Sequence, residues 1–161
     1  MHPSLCTLID RFFAPHHLML SQYTEDAESN VYEGCSFIVG QKNFIYRKAK
    51  QTPKKVGQFV TFWKREGTAP IAPFHIDDHF DSYIIYANSD TESGVFLFTK
   101  DLLRDKAMVS TAHKEGKRGF RVYPPWDTPT SKQAIATQKW QAPHFYKLDN
   151  ASDLTRLAHH F

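Results

Sequence analysis

The chain of 161 residues reads as one α+β domain, residues 1–161, built on a mainly antiparallel β-sheet with helices packed on it. Three observations predict this. Segments of strand composition follow one another across short links, helical patterns are interspersed among them, and no regular strand–helix–strand alternation runs through the chain. The length suits one compact domain, and 41% hydrophobic residues are enough for a core.

The elements follow in order. Ser4 is placed to cap a first helix in which Leu5, Leu8, Ile9 and Phe12 fall at i, i+3, i+4 and i+7; the helix runs to about Phe13 and Pro15 ends it. The polar stretch Gln22 to Asn30 reads as a surface loop. Val31 to Val39 and Phe44 to Lys50, separated by Gly40-Gln41-Lys42-Asn43, form a predicted hairpin. Thr52-Pro53 has the composition of a helix start, so a second helix is expected from Pro53 to about Glu66, with Val56, Phe59, Val60 and Trp63 as its apolar stripe and Gly67 beyond its end. Pro70 and Pro73 make Thr68 to Phe74 an edge or irregular strand, while Tyr83 to Ala87 and Val95 to Phe98 are regular ones. A short helix follows Thr99 through Leu102 and Leu103. Gly119 to Tyr123 is a further strand, stopped by Pro124-Pro125; Ser131 caps a helix reaching Trp140, and Asp153 to Phe161 carries a weak helical pattern. No internal repeat or low-complexity tract is present.

The longest apolar runs, such as Gly94 to Phe98, are far shorter than the roughly 18 to 20 residues that cross a bilayer. The N-terminus shows no basic leader followed by an apolar stretch. Cys6 and Cys35 are too few and too irregularly placed for a disulfide scaffold or a cysteine-rich zinc site, and no neighbour of either favours a thiolate. These features predict a cytoplasmic chain with reduced thiols and no membrane partner.

The formal net charge of +3 conceals a segregation. From Lys42 to Arg65 the chain holds Lys42, Arg47, Lys48, Lys50, Lys54, Lys55, Lys64 and Arg65 without one Asp or Glu. That segment carries +8, and the remainder, with 12 basic and 17 acidic residues, carries −5. A second basic knot comprises Lys114, Lys117, Arg118 and Arg121, diluted only by Glu115. Conversely, Ile76 to Glu92 contains Asp77, Asp78, Asp81, Asp90 and Glu92 without a Lys or Arg. Concentrated positive charge attracts polyanions, because each phosphate contact releases condensed counterions. A solvated basic face, partly neutralised by the acidic stretch, accounts for the same pattern without a ligand.

Period-two alternation along Phe44 to Lys50 puts Phe44, Tyr46, Lys48 and Lys50 on one face and Ile45, Arg47 and Ala49 on the other. An exposed face of rings and cations would suit phosphates and unstacked bases. Arg47 is expected to point inward and to need a carboxylate such as Glu33 or Asp81. On the predicted second helix, Lys54, Gln58, Phe62 and Arg65 would form an outward row, and the free amides beside Lys54 and Lys55 would offer a phosphate site. Near Lys117-Arg118, Trp126 is set either to stack on a base or to pack after the rigid diproline, and Lys132, Lys139 and Trp140 would extend that face. His75 and His79 belong to metal-ligating types but lie between predicted strands without regular ligand spacing, so a polar turn is expected there and no metal. Walker, dinucleotide-binding, G-x-S-x-G and HExxH patterns do not occur.

Four linked stretches, Tyr32 to Phe37, Phe44 to Arg65, Gly119 to Trp126 and Thr137 to Gln141, resemble the MepB-like family, with coverage from about Tyr32 to Phe145. Some bacterial members of that family are encoded beside a multidrug efflux pump and its repressor, and the family brings no established catalytic residues. The resemblance implies a soluble bacterial α+β protein with a nucleic-acid-binding role; His75 and His79 lie outside the motif.

The expected function is therefore non-catalytic binding of DNA or RNA by Lys48, Lys50, Lys54, Lys55, Arg65, Lys117, Arg118 and Trp126, with no cofactor. Two alternatives stand beside it. One is a metal-dependent nuclease in which Glu33 and Asp81 hold a cation and Lys50 stabilises phosphate charge. The other is a regulatory module that binds a protein or a small anion, with Phe62 and Trp126 forming an apolar patch.

Overall fold

The computed structural model describes residues 1–161. Strand-forming β-branched and aromatic residues build β1 (Leu20–Glu25), β2 (Cys35–Val39), β3 (Lys42–Lys48), β8 (Ser82–Asn88), β9 (Ser93–Thr99) and β11 (Phe145–Lys147), which hydrogen-bond in the order β1-β2-β3-β8-β9-β11. Every pair is antiparallel except β3 with β8, where Tyr46 lies opposite Ile84 in a parallel register. On β8, Ile84 and Tyr86 enter one core, while Tyr83, Ile85 and Ala87 enter another. The sheet is thus buried on both faces, and its central strands lack the apolar and polar alternation of a half-solvated strand.

One face is covered by helix α1 (Pro3–Leu8), its π-type continuation Ile9–Phe13, and α4 (Ala151–Ala158), through Leu5, Leu8, Phe12, Phe13 and Leu157. The first helix therefore forms where its spacing predicts, but Ser4 does not cap it. His2 takes the N-cap position and Pro3 follows it. Ser4 is buried, with its hydroxyl bonded to Glu33 Oε2 and 2.6 Å from the Tyr46 hydroxyl.

The opposite face is covered by a second sheet in the order β10-β5-β4, where β4 is Lys50–Thr52, β5 Lys55–Thr61 and β10 Gly119–Val122. Short strands β6 (Trp63–Lys64) and β7 (Ala72–Pro73) pair beside it. These elements replace the helix expected over Pro53 to Glu66. Thr52-Pro53-Lys54 closes a hairpin between β4 and β5, a position for which proline's fixed φ is equally suited. Gly57, at φ +85°, and the β-branched Val56, Val60 and Thr61 favour the extended form once β10 supplies a pairing edge. The parallel β3/β8 connection consequently passes through a sheet.

Three further expectations change. Gln22 to Asn30 is ordered rather than a loop: it contributes most of β1, bulged at Gln22 (φ +51°), and much of a 3-10 turn, Ala27–Tyr32. Phe44 and Tyr46 are 1% and 0% exposed, so the proposed aromatic and cationic surface on β3 does not exist; both faces of that strand are inside. Arg47 does point inward, at 2% exposure, but its partner is Asp26 at 3.2 Å rather than Glu33 or Asp81. Thr61 Oγ1 and the Trp63 carbonyl accept its other bonds.

The remaining helices, α2 (Lys100–Asp105) and α3 (Lys132–Gln141), form where they are expected, and Thr99 and Ser131 cap them by accepting from Leu102 N and Ala134 N. No helix is long and apolar enough to cross a membrane.

Candidate nucleic-acid interface

A groove of about 640 Å³ opens between the β5 and β10 strands, α3 and the segment after α2. Its lining holds five cationic side chains, Lys54, Lys55, Lys106, Lys117 and Arg121, and no carboxylate. They reach it by several local routes. The β4–β5 turn projects Lys54 and Lys55 outward, where both are exposed. Ala107, at φ +56°, lets the chain leave α2 and places exposed Lys106 on the rim. Lys117 follows from the pairing of its amide with the Met108 carbonyl at 2.9 Å.

Arg121 is held without an acid. Its Nη2 donates to Thr52 Oγ1 at 2.7 Å, and Nη1 lies 3.3 Å from the Val56 carbonyl oxygen, which accepts from it. The Thr52 hydroxyl and the backbone oxygens orient the guanidinium and, being neutral, leave its charge uncancelled at the groove. The wall formed by α3 is pinned by Gln141, which is fully buried. Its Oε1 accepts from Tyr123 N at 2.8 Å and its Nε2 donates to the Arg121 carbonyl at 3.0 Å. The same wall carries half-buried Trp140, packed against Phe98 at 5.4 Å between ring centroids.

Of the eight residues singled out from sequence, three meet here: Lys54, Lys55 and Lys117. Lys48 and Lys50 line a separate hollow of about 470 Å³ that also contains Glu33 and Asp90. Lys50 Nζ stands 5.6 Å from the Tyr32 ring centroid. Arg65 is spent on Glu28, with Nε 2.9 Å from Oε2 and 3.0 Å from Oε1, and its Nη1 donates to the Ala69 carbonyl. Arg118 pairs with Glu115 at 2.9 Å. Trp126, half-buried, packs edge-on against Phe145 at 5.6 Å on the margin of the core, so of its two readings the packing one describes its place.

The expected outward row fails for the same reason the helix fails: Gln58 and Phe62 are 1% and 0% exposed on β5 and just beyond it. With no helix at Pro53, there are no helix-end amides beside Lys54 and Lys55. Phe62 stacks on Tyr83 at 4.6 Å, so it and Trp126 cannot make the apolar patch of the regulatory alternative. The nuclease triad does not assemble either. Asp81 and Asn43 bond reciprocally at the start of β3, through Asn43 N to Oδ2 at 2.7 Å and Asp81 N to the Asn43 carbonyl at 2.8 Å, whereas Glu33 and Lys50 lie beyond its other end. His75 Nδ1 accepts from Asp77 N, and His79 Nε2 lies 3.3 Å from Asn43 Nδ2. No group of three or more His, Cys, Asp or Glu is placed to hold a metal ion.

The MepB-like family model matches residues 26–147. The chain belongs to the MepB-like family. A solved structure described as the crystal structure of MepB is 31% identical, with a TM-score of 0.80, and the match covers 93% of this chain and 99% of that one. A bacterial homing endonuclease matches at 11% identity and a TM-score of 0.48, over 87% of this chain and 86% of that one, a likeness too low to carry an argument. Comparison with curated proteins finds no match. Within this MepB-like chain, two groove cations, Lys106 and Arg121, are not among the eight; Arg121 belongs to the second basic knot, and Lys106 is the less legible of the two. It lies outside both basic segments, and nothing local distinguishes it from any solvated lysine at a helix end.

Proposed function

We propose that this MepB-like protein binds nucleic acid without cleaving it, through the groove formed by Lys54, Lys55, Lys106, Lys117 and Arg121. The observation that carries the reading is the absence of any carboxylate from a lining that contains five cations. In a concave wall of low dielectric such charges add, and a polyanion relieves their mutual repulsion while releasing its own counterions. Backbone contacts of this kind fix position and orientation on a strand and carry no sequence information. A cytoplasmic setting belongs to the same proposal and is supported by the two free thiols, Cys6 and Cys35.

The test is a salt titration of binding to short single- and double-stranded oligonucleotides. Five phosphate contacts give a slope of log affinity against log salt of about −3 to −4 on single strands and slightly steeper on duplex. Absence of binding at low ionic strength rejects the proposal.

A further inference from the structure

Three aromatic rings contribute to the groove, and they differ in what they leave open. Phe120 is 7% exposed and belongs to the core beneath, and Tyr123 is 9% exposed. Of the three, only Trp140 is half-buried rather than buried while lining the groove. Its ring is braced by Phe98, which itself sits on Phe96 in the buried core, so the indole is held by rigid neighbours. Lys106 Nζ lies 5.1 Å from the Trp140 ring centroid, a cation–π contact made by an exposed and flexible side chain.

We infer that Trp140 is a stacking platform for one unpaired base, and that Lys106 is the displaceable cover of that platform. The inference rests on the nucleic-acid reading of the same groove and narrows it to single-stranded or locally unpaired substrate. An exposed cation–π contact is weak, whereas a base has a flat π face that matches an indole and is sequence-tolerant. When a base takes the ring, the Lys106 ammonium moves by rotation of its own chain to the adjoining phosphate, so its charge stays paired. A paired base cannot do this, because its faces are already occupied by its neighbours in the stack. The cations and the ring therefore have separate roles: the first read any polyanion, the second reads an accessible base.

The experiment uses the full chain with Trp63→Phe and Trp126→Phe, which leaves Trp140 as the sole indole. Binding and fluorescence are measured with a short single-stranded oligonucleotide, the same strand made abasic, a duplex of the same length, and inorganic polyphosphate. The expected result is quenching of Trp140 by the base-bearing single strand only, together with roughly tenfold weaker binding of the abasic strand. Trp140→Leu, in the natural background, is expected to bring intact and abasic strands to equal affinity; the abasic comparison on the unsubstituted protein gives the same reading independently of that variant's folding. Equal affinity for intact and abasic strands, without quenching, overturns the platform while leaving the nucleic-acid reading in place. Binding of polyphosphate but of no oligonucleotide overturns both.

Discussion

Arg47 and Asp26, 21 residues apart in sequence, meet at 3.2 Å between Nη2 and Oδ2, joining the inner face of β3 to the residue that opens the 3-10 turn before β2. The Arg47 side chain is 2% exposed and that of Asp26 is 39% exposed. The arginine therefore depends on protein partners for nearly all of its solvation, and the acid does not. Asp26→Ala is expected to lower stability by about 2 kcal/mol, because Arg47 keeps Thr61 and Trp63 but loses its counter-charge. Arg47→Ala is expected to cost about 3 kcal/mol or more, since it also opens a void. Urea unfolding of both variants and of the double variant measures the coupling; additive effects would show that the pair is not a unit.

Free and neutralised cations separate in a salt titration. Lys54→Gln with Lys117→Gln is expected to make the slope of log affinity against log salt shallower by about 1 to 2. Arg65→Gln and Arg118→Gln are expected to leave it unchanged, because Glu28 and Glu115 already hold those two side chains. A loss of slope in the second pair would move the interface away from the groove.

Trp126 supplies packing. Its Nε1 is buried and has no acceptor, so replacing the indole by a phenyl ring removes no hydrogen bond. Trp126→Phe is expected to cost about 1 kcal/mol in thermal unfolding and to leave oligonucleotide affinity unchanged. A several-fold loss of affinity would restore it as a contact residue.

Two histidines make stability depend on pH in a known direction. Burial, with the positive charge of Lys106 nearby, lowers the pKa of His144 below its ordinary 6.5. Burial first, then surrounding cations beginning with Lys42, lowers that of His160, whose Nε2 lies 2.9 Å from the Tyr146 hydroxyl. Both rings bind protons less readily folded than unfolded. Their stabilising effect is thus complete above the unfolded value and declines as pH falls through it, levelling off below the folded value. The midpoint of thermal unfolding is expected to fall as pH drops from about 7 to about 5, and the fall is expected to be shallower in His144→Gln and His160→Gln.

Gly57 shapes the strand beside the groove. At φ +85° it occupies the left-handed region, and a Cβ there would lie 2.7 Å from the Tyr123 ring and 3.0 Å from the Val122 carbonyl oxygen. Gly57→Ala is expected to destabilise by about 2 kcal/mol, through strain and through displacement of Tyr123. Near-ultraviolet circular dichroism and thermal unfolding check it.

Local signals in the chain determined a great deal. Strand composition at Tyr83 to Ala87 and Val95 to Phe98, the caps at Thr99 and Ser131, and the first helix all rest on interactions within a few residues, which the fold leaves intact. The pairing of Arg118 with Glu115 is equally local. What the chain alone leaves open is whatever depends on a distant partner. Thr52-Pro53 suits a turn as well as a helix, and the edge of β10, more than fifty residues later, decides for the turn. Alternation on β3 marks two faces without saying that both are covered. The +8 segment divides among a groove, a second hollow and several ion pairs, because a cation's availability is set by the carboxylate that folding brings to it or withholds. Lys106, Arg121 and Trp140 face one groove only because the sheet, α2 and α3 converge there, a three-dimensional fact that no spacing along the chain encodes.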